Sequence, residues 1–162
     1  MKPMIISEID DPDARPVVSY SPVQVRRVVS TDTAKKIVSA LKDVVSAQGT
    51  AKDAAVPGFT VAGKTGTAQK IDPRGGYLQG KYVVSFVGFM PADDPKFTLL
   101  VVVDDPDVKR GEAFGGTVAA PVFAKIAKRA ADYLGLQPTG PVGPPGLVAT
   151  PKKLTSTLPG RG

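Results

Sequence analysis

Two apolar segments, 82–90 and 97–103, are the feature that most constrains the fold of this chain. The residues between them, 91–95, are proline, alanine and aspartate, which favour a tight turn. The sequence therefore predicts two antiparallel strands joined by a hairpin. The second segment is almost wholly apolar, which predicts a central strand that is covered on both faces.

A helix is predicted over 32–47, and either Ser30 or Thr31 can cap its first turn. Gly49 is placed to end it. Its apolar residues recur with helical periodicity and form one stripe: Ile37, Val38, Leu41, Val44 and Val45.

A second helix is predicted between Thr117, which is suited to an N-cap, and Gly135, which favours a helix end. Pro121 falls in the first turn, where its missing N–H costs little. The apolar side chains step by four along one face: Val118, Val122, Ile126, Ala130 and Leu134.

Extended segments complete the prediction. Residues 4–9 form a short strand that a turn separates from an extended stretch over 15–29. Residues 59–70 form a further strand, which a Gly-rich loop over 71–80 joins to the hairpin. The predicted fold class is α/β, of the α+β kind, with an incomplete antiparallel sheet and helices packed on it.

The charge of the chain is concentrated at its end. The 162 residues carry a formal net charge of +6, and residues 136–162 contribute three bases and no acid. Because this segment is rich in Pro and Gly, we predict a disordered basic tail after a single domain over 1–135. The remaining charge is thinly spread, so we expect no nucleic-acid partner.

Several residue types are missing from the chain. It has no Cys, His or Asn, which excludes a disulfide framework, a thiolate nucleophile and an imidazole base. Chemistry must rely on Lys, Ser, Thr, Tyr and carboxylates, and we expect no metal and no cofactor. Asp104, Asp105 and Asp107 are interpreted as hydrated strand-end residues in preference to a cation site.

The segment 61–70 carries the chemical signal of the chain. Its small residues leave a bare strand edge along which a ligand backbone can lie. Lys64 supplies a fixed positive charge, Thr65 and Thr67 supply hydroxyls, and Gly66 removes a side chain that would block close approach. Together these groups suit the capture of a carboxylate. An ordinary edge strand with solvated lysines is the plainer alternative.

Lys64-Thr65-Gly66 resembles the K-T-G motif of the penicillin-binding transpeptidases, which lies on a strand lining a serine active site. The flanking segments make the resemblance more specific and favour the class B, cell-division type. These segments are 49–51, 56–58, 85–89, the aspartates at 104–105, and 115–123.

The resemblance implies roles for the residues of the motif. Lys64 is expected to be catalytic, as part of the charge and proton network beside the nucleophile. Thr65, Gly66 and Thr67 are expected to bind substrate, with both hydroxyls on the terminal carboxylate of a D-Ala-D-Ala stem peptide or a β-lactam. The backbone N–H of Thr67 would be an oxyanion-hole donor. The reaction would be serine acylation followed by transfer to an amine, which cross-links peptidoglycan.

Two motifs of the family are missing. Ser-x-Asn cannot occur without Asn, and the one Ser-x-x-Lys, at Ser39 and Lys42, lies mid-helix only 22 residues before Lys64. The family's nucleophile opens a helix far upstream of K-T-G, so we interpret Ser39 and Lys42 as solvent-side helix residues. We therefore predict that this chain alone is inactive.

The resemblance implies the C-terminal portion of a transpeptidase domain. Its expected partners are stem peptides, β-lactams, the upstream half of the domain, and the division or elongation machinery. The family places such domains on the periplasmic face of the bacterial inner membrane. The chain itself shows no signal peptide and no run of about 18 apolar residues, so we expect no membrane span within it.

One alternative function remains open. The chain could be a non-catalytic α/β module that presents its 61–69 strand to a peptide or protein partner.

The Gly-rich loop over 111–116 lacks the spacing of a phosphate-binding loop and is interpreted as a flexible connection. The resemblance places this loop near the active-site cleft, where it could act as a gate.

Overall fold

The structure is a computed structural model that describes residues 1–107 and 113–140. It divides into two compact units, Met1–Lys36 and Ile37–Gly162. In the first unit, β1 (Glu8–Asp10) pairs antiparallel with β2 (Pro16–Ser19). The Asp11 carboxylate holds the intervening turn by accepting the N–H groups of Asp13 and Arg15, both at 2.9 Å. The turn was predicted, whereas β1 begins later than the predicted strand over 4–9.

Helix α1 (Thr31–Asp43) begins as the sequence predicts. The Ser30 hydroxyl accepts the N–H of Thr33 at 3.1 Å, so Ser30 is the residue that caps the first turn. The helix ends at Asp43, before the predicted residue 47, and a tighter turn follows. A Cβ at Gly49 would overlap the Val44 carbonyl oxygen, which explains why a glycine stands there.

The second unit is built on a three-stranded sheet. Its strands are β3 (Ala62–Ile71), β4 (Tyr77–Met90) and β5 (Phe97–Asp104), and they lie antiparallel in the order β3-β4-β5. The predicted hairpin is therefore confirmed. The predicted α/β class, with antiparallel strands and helices, is also confirmed.

The prediction that 97–103 forms a central strand is wrong. β4 is central, and β5 pairs with β4 alone among the described residues. Leu100 is 60% exposed and Val102 is 53% exposed, so one face of β5 is uncovered. Alternation within β5 buries Val101 on the other face. An apolar sequence favours burial of a strand, but it does not show whether the residues that bury it belong to the same chain.

The β3–β4 connection is a short turn, because β4 begins at Tyr77 and the predicted loop over 71–80 shrinks to 72–76. Asp72 accepts the backbone N–H of Arg74 at 2.9 Å and pairs with its guanidinium. These bonds to Arg74 lower the pKa of the Asp72 carboxyl.

Helix α2 (Ala120–Tyr133) follows a wider helical turn over Gly115–Ala119. Thr117 is not the N-cap, because it lies inside that turn and its hydroxyl donates to the Phe114 carbonyl at 3.1 Å. Pro121 stands in the first turn of α2, as predicted. Gly135 has a φ of 64° and ends the helix, also as predicted.

The buried face of α2 differs from the predicted stripe. Val122 and Ile126 of that stripe are exposed, and the buried residues of the helix are Ala120, Phe123, Ala127 and Ala131. Three of these four are alanines, which let the helix backbone approach the sheet closely. The single large residue then fills the space that remains.

The core lies between α2 and the sheet. The rings of Phe86 and Phe123 are 4.8 Å apart and meet edge to face at 72°. A Cβ at Gly88 would lie 2.9 Å from both rings, so the glycine makes room for them. Packed around this pair are Ala51, Ala54, Val56, Val61, Met90, Val101, Ala119, Ala120, Ala127 and Ala131.

The chain beyond α2 stays in contact with the second unit up to its last described residue. Leu136 packs against the core, and the N–H groups of Thr139 and Gly140 donate to the Gly58 carbonyl. The predicted domain boundary at residue 135 thus precedes these contacts. The rest of the predicted tail, 141–162, lies outside the described residues. In the described part of the chain, no helix has the length and apolar character of a membrane span.

Replacing Phe123 by alanine should remove the side chain around which the core closes. Because Phe123 is fully buried, we expect Phe123→Ala to lower the free energy of unfolding by about 3–5 kcal/mol in urea titrations. The matched control is Tyr133→Ala on the same helix, where the ring is 90% exposed and the expected change is within about 0.5 kcal/mol. Equal losses in the two variants would contradict this account of the core.

Candidate functional site

The residues singled out by the sequence lie on β3. This strand pairs with β4 alone among the described residues, so its outer edge is free. Thr65 lies opposite the buried Phe86, so Thr65 and Thr67 point to the sheet face that packs on α2. Lys64 lies opposite Val87 and points to the other face.

The exposed part of that second face is here called the open face and comprises Lys64, Val87, Leu100 and Val102. Its apolar members are all at least two-fifths exposed. The side chain of Lys64 therefore leaves β3 on the face with exposed apolar residues, whereas the side chains of Thr65 and Thr67 lie on the face that packs against α2.

Lys64 and Thr65 converge although they start from opposite faces of the strand. The Lys64 Nζ donates to the Thr65 carbonyl at 3.1 Å and to the Thr65 Oγ1 at 3.3 Å. A positive charge and a hydroxyl thus meet beside the same strand. Such a pair offers charge-assisted hydrogen bonding to an anion.

Thr67 has a partner from outside the strand. The backbone N–H of Gly115, at the start of the turn before α2, donates to the Thr67 Oγ1 at 3.3 Å. A Cβ at Gly115 would overlap the Ser85 carbonyl oxygen and would lie 2.7 Å from the Gly66 carbonyl oxygen. Sequence reasoning interpreted 111–116 as a flexible connection and missed this contact. The doubled glycine was the only available signal.

Gly66 has a steric role in the sheet. A Cβ at this position would lie 2.5 Å from the Ser85 Oγ, which occupies the space across the strand pair. At Gly63 a Cβ would lie 2.5 Å from both the Phe86 ring and the Val87 carbonyl oxygen. The packing of the sheet therefore favours small residues at both positions, most strictly at Gly63.

Ser39 and Lys42 do not join the residues of β3. Lys42 forms an ion pair with Asp93 in the β4–β5 turn, and Thr60 also donates to that carboxylate at 3.5 Å. Lys42 is thus held by a structural ion pair and is less exposed than the predicted solvent-side position. Ser39 is exposed on α1.

Two of the three aspartates at the end of β5, Asp104 and Asp105, form ion pairs with lysines. Asp104 pairs with Lys70 at 2.8 Å, and Asp105 pairs with Lys81 at 2.7 Å. The hydrogen bond to Asp104 raises the pKa of Lys70. Within residues 1–107 and 113–140, no cluster of His, Cys, Asp and Glu could hold a metal ion. These aspartates therefore fasten the strands to one another.

Residues 1–128 match the family model of the penicillin binding protein transpeptidase domain. The chain is 45% identical over 137 residues to the stage V sporulation protein D of Bacillus subtilis, covering 84% of this chain and 21% of that protein. It is 36% identical over 123 residues to the peptidoglycan D,D-transpeptidase FtsI homolog of Chlorokybus atmophyticus, covering 76% of this chain and 18% of that protein.

A solved structure shares the fold. Penicillin binding protein 3 of Mycobacterium tuberculosis, in complex with ampicillin, is 33% identical and superposes with a TM-score of 0.71. The match covers 86% of this chain and 32% of that one. The chain thus spans between about a fifth and a third of the proteins to which these comparisons match it.

The glycines of β3 should differ in their tolerance to a methyl group. In Gly63→Ala the added methyl group meets the Val87 carbonyl oxygen and the packed Phe86 ring. We therefore expect the free energy of unfolding to fall by about 1–3 kcal/mol. Gly66→Ala meets only the rotatable Ser85 hydroxyl, so its loss should be smaller and should disappear in a Ser85→Ala background. Urea titration of the four variants measures this, and a Gly66→Ala loss that is unchanged by Ser85→Ala would contradict it.

Proposed function

Because the chain belongs to the penicillin-binding transpeptidase family, we propose that it forms one wall of the active site in a serine D,D-transpeptidase that cross-links peptidoglycan stem peptides. The observation that carries the proposal is the convergence of Lys64 and Thr65 beside a strand whose outer edge is free. The FtsI homolog of Chlorokybus atmophyticus is itself named a peptidoglycan D,D-transpeptidase.

In this proposal the β3 residues recognise the carboxylate end of the substrate. Lys64 supplies the positive charge and belongs to the proton network of the nucleophile, which makes it the catalytic residue of this wall. The hydroxyls of Thr65 and Thr67 donate to the terminal carboxylate, and Gly66 allows the peptide backbone to approach the strand. The N–H of Thr67 stabilises the oxyanion of the tetrahedral intermediate.

The nucleophile comes from outside this chain. A serine of the Ser-x-x-Lys motif attacks the carbonyl between the two terminal D-alanines, and free D-alanine leaves. An amine of a second stem peptide then attacks the acyl-enzyme, so the serine is regenerated and a cross-link forms. The isolated chain offers only Ser39 and Lys42 in this pattern, and Lys42 is paired with Asp93.

The open face is where we place the upstream half of the domain. Leu100 and Val102 are 60% and 53% exposed there, and apolar surface of this kind is more stable when it is covered. Lys64 shares this face, so the partner that covers the apolar residues would also bring its serine to the lysine. Recognition and nucleophile would then meet at the boundary of the two halves.

The ligands and the setting of the whole protein follow from the same proposal. The Mycobacterium tuberculosis relative is described with ampicillin bound, so we propose that β-lactams bind along β3 through their carboxylate. The whole protein would act on the periplasmic face of the bacterial inner membrane with the division or elongation machinery. A non-catalytic module that presents an edge strand is not favoured, since the named relatives include a D,D-transpeptidase.

Penicillin labelling tests the proposal. The chain is mixed with the upstream half expressed from the in-frame DNA ahead of it, and fluorescent penicillin is added. We expect stable labelling of the mixture and none of the isolated chain. Lys64→Ala should lower the acylation rate by about 10²–10⁴-fold, since a group that moves protons contributes on that scale. Lys125→Ala, an exposed lysine on α2, is the matched control.

Two results would contradict the proposal. Stable labelling of the isolated chain would require a nucleophile within it. Upstream DNA that carries a stop codon in place of the Ser-x-x-Lys and Ser-x-Asn motifs would leave the chain without a catalytic partner and would favour the binding module.

A further inference from the structure

The turn that precedes α2 is wedged between two backbones. A Cβ at Gly115 would overlap the Ser85 carbonyl oxygen on β4, and a Cβ at Gly116 would overlap the Thr50 carbonyl oxygen on its other side. Both glycines are buried. The turn is therefore closely packed against a backbone carbonyl group at each of its two glycines.

The position of this turn is set by the hydrophobic core. Gly115–Ala119 runs directly into α2, whose Phe123, Ala127 and Ala131 are buried in the core. Since protein cores are close-packed, the helix cannot shift without opening a void. The backbone N–H of Gly115 is thus held at one place above the pairing of Gly66 with Ser85.

At that place the N–H of Gly115 meets Thr67. It donates to the Thr67 Oγ1 at 3.3 Å, and Thr67 is otherwise exposed. A hydroxyl has one hydrogen to donate and two lone pairs that accept. Accepting from Gly115 fixes the side-chain rotamer while the hydroxyl hydrogen stays available to an anion. The contact therefore presets Thr67 as a donor.

We propose that Gly115 is a positioning residue for Thr67 in carboxylate recognition. The close packing of Gly116 against the Thr50 carbonyl group keeps Gly115 in place. This role rests on the proposed function, because it serves the hydroxyl that binds the substrate carboxylate. Gly115 itself does not touch the substrate. The competing explanation is that the contact merely fastens α2 to the sheet.

Acylation of the assembled protein separates these explanations. In Gly115→Ala the added Cβ should displace the backbone N–H from the Thr67 Oγ1. In the chain mixed with its upstream half, we therefore expect the second-order rate constant of penicillin acylation to fall about tenfold, which corresponds to the loss of one hydrogen bond. Gly140→Ala is the matched control, because its added Cβ meets nothing nearer than the Gly58 carbonyl oxygen at 3.9 Å. Its rate should equal that of the unsubstituted protein.

Combining Gly115→Ala with substitutions of Thr67 distinguishes positioning from a purely structural role, because only positioning makes the change in acylation rate depend on the Thr67 hydroxyl. In Thr67→Val the hydroxyl is gone, so Gly115→Ala should lower the acylation rate clearly less than it does in the unsubstituted protein, the remainder reflecting the contact of the added Cβ with Ser85 and Gly66. In Thr67→Ser the hydroxyl is kept, and the tenfold loss should return. A Gly115→Ala loss of equal size in all three backgrounds would overturn the proposal and identify a purely structural contact.

An amide measurement on the full chain without ligand tests the contact apart from the reaction. The Gly115 amide proton shift and exchange rate should be alike in the unsubstituted chain and Thr67→Ser, and should change in Thr67→Val. An unchanged Gly115 amide in Thr67→Val would overturn the inference while labelling by penicillin still supports the proposed function. If penicillin does not label the unsubstituted mixture, the proposed function is wrong. A Gly115 amide proton shift that still changes in Thr67→Val would then show that the Gly115–Thr67 hydrogen bond exists but has only a structural role.

Discussion

The close approach of α2 to the sheet is the constraint on which the rest of the structure depends. Phe123 meets Phe86 edge to face, and this is possible because Gly88 has no side chain and the other buried residues of the helix are alanines. The same approach sets the position of the turn at Gly115 and, through it, that of Thr67. The arrangement of the candidate site is therefore a consequence of how the core is filled.

Local features of the fold could be predicted from the sequence, because each is decided by neighbouring residues. The cap at Ser30, the helix end at Gly135 and the hairpin between the apolar strands all depend on short-range geometry. Placing Lys64, Thr65 and Thr67 on one strand was possible for the same reason. Their roles in catalysis and binding remain predictions.

Features that depend on distant residues could not be predicted. The periodicity of α2 favoured the stripe through Val122 and Ile126, but the residues one position later, Phe123 and Ala127, are the buried ones. The packing of Phe123 depends on residues elsewhere in the chain, Phe86 and Gly88. Among the residues that the structure describes, β5 has no second neighbouring strand, and its own apolar residues do not encode this edge position. The bond from Gly115 to Thr67 joins residues 48 positions apart, beyond the reach of any motif.

The free edge of β3 has a consequence for self-association. An unpaired strand edge is a template for another strand, and lysines on such edges oppose edge-to-edge aggregation. Lys64 directs its ammonium to the Thr65 carbonyl beside this edge. A second copy pairing there in antiparallel fashion would bring its own lysine toward a like charge, whereas a peptide that ends in a carboxylate would bring the opposite charge. The charge of Lys64 would thus oppose the pairing of two copies at this edge.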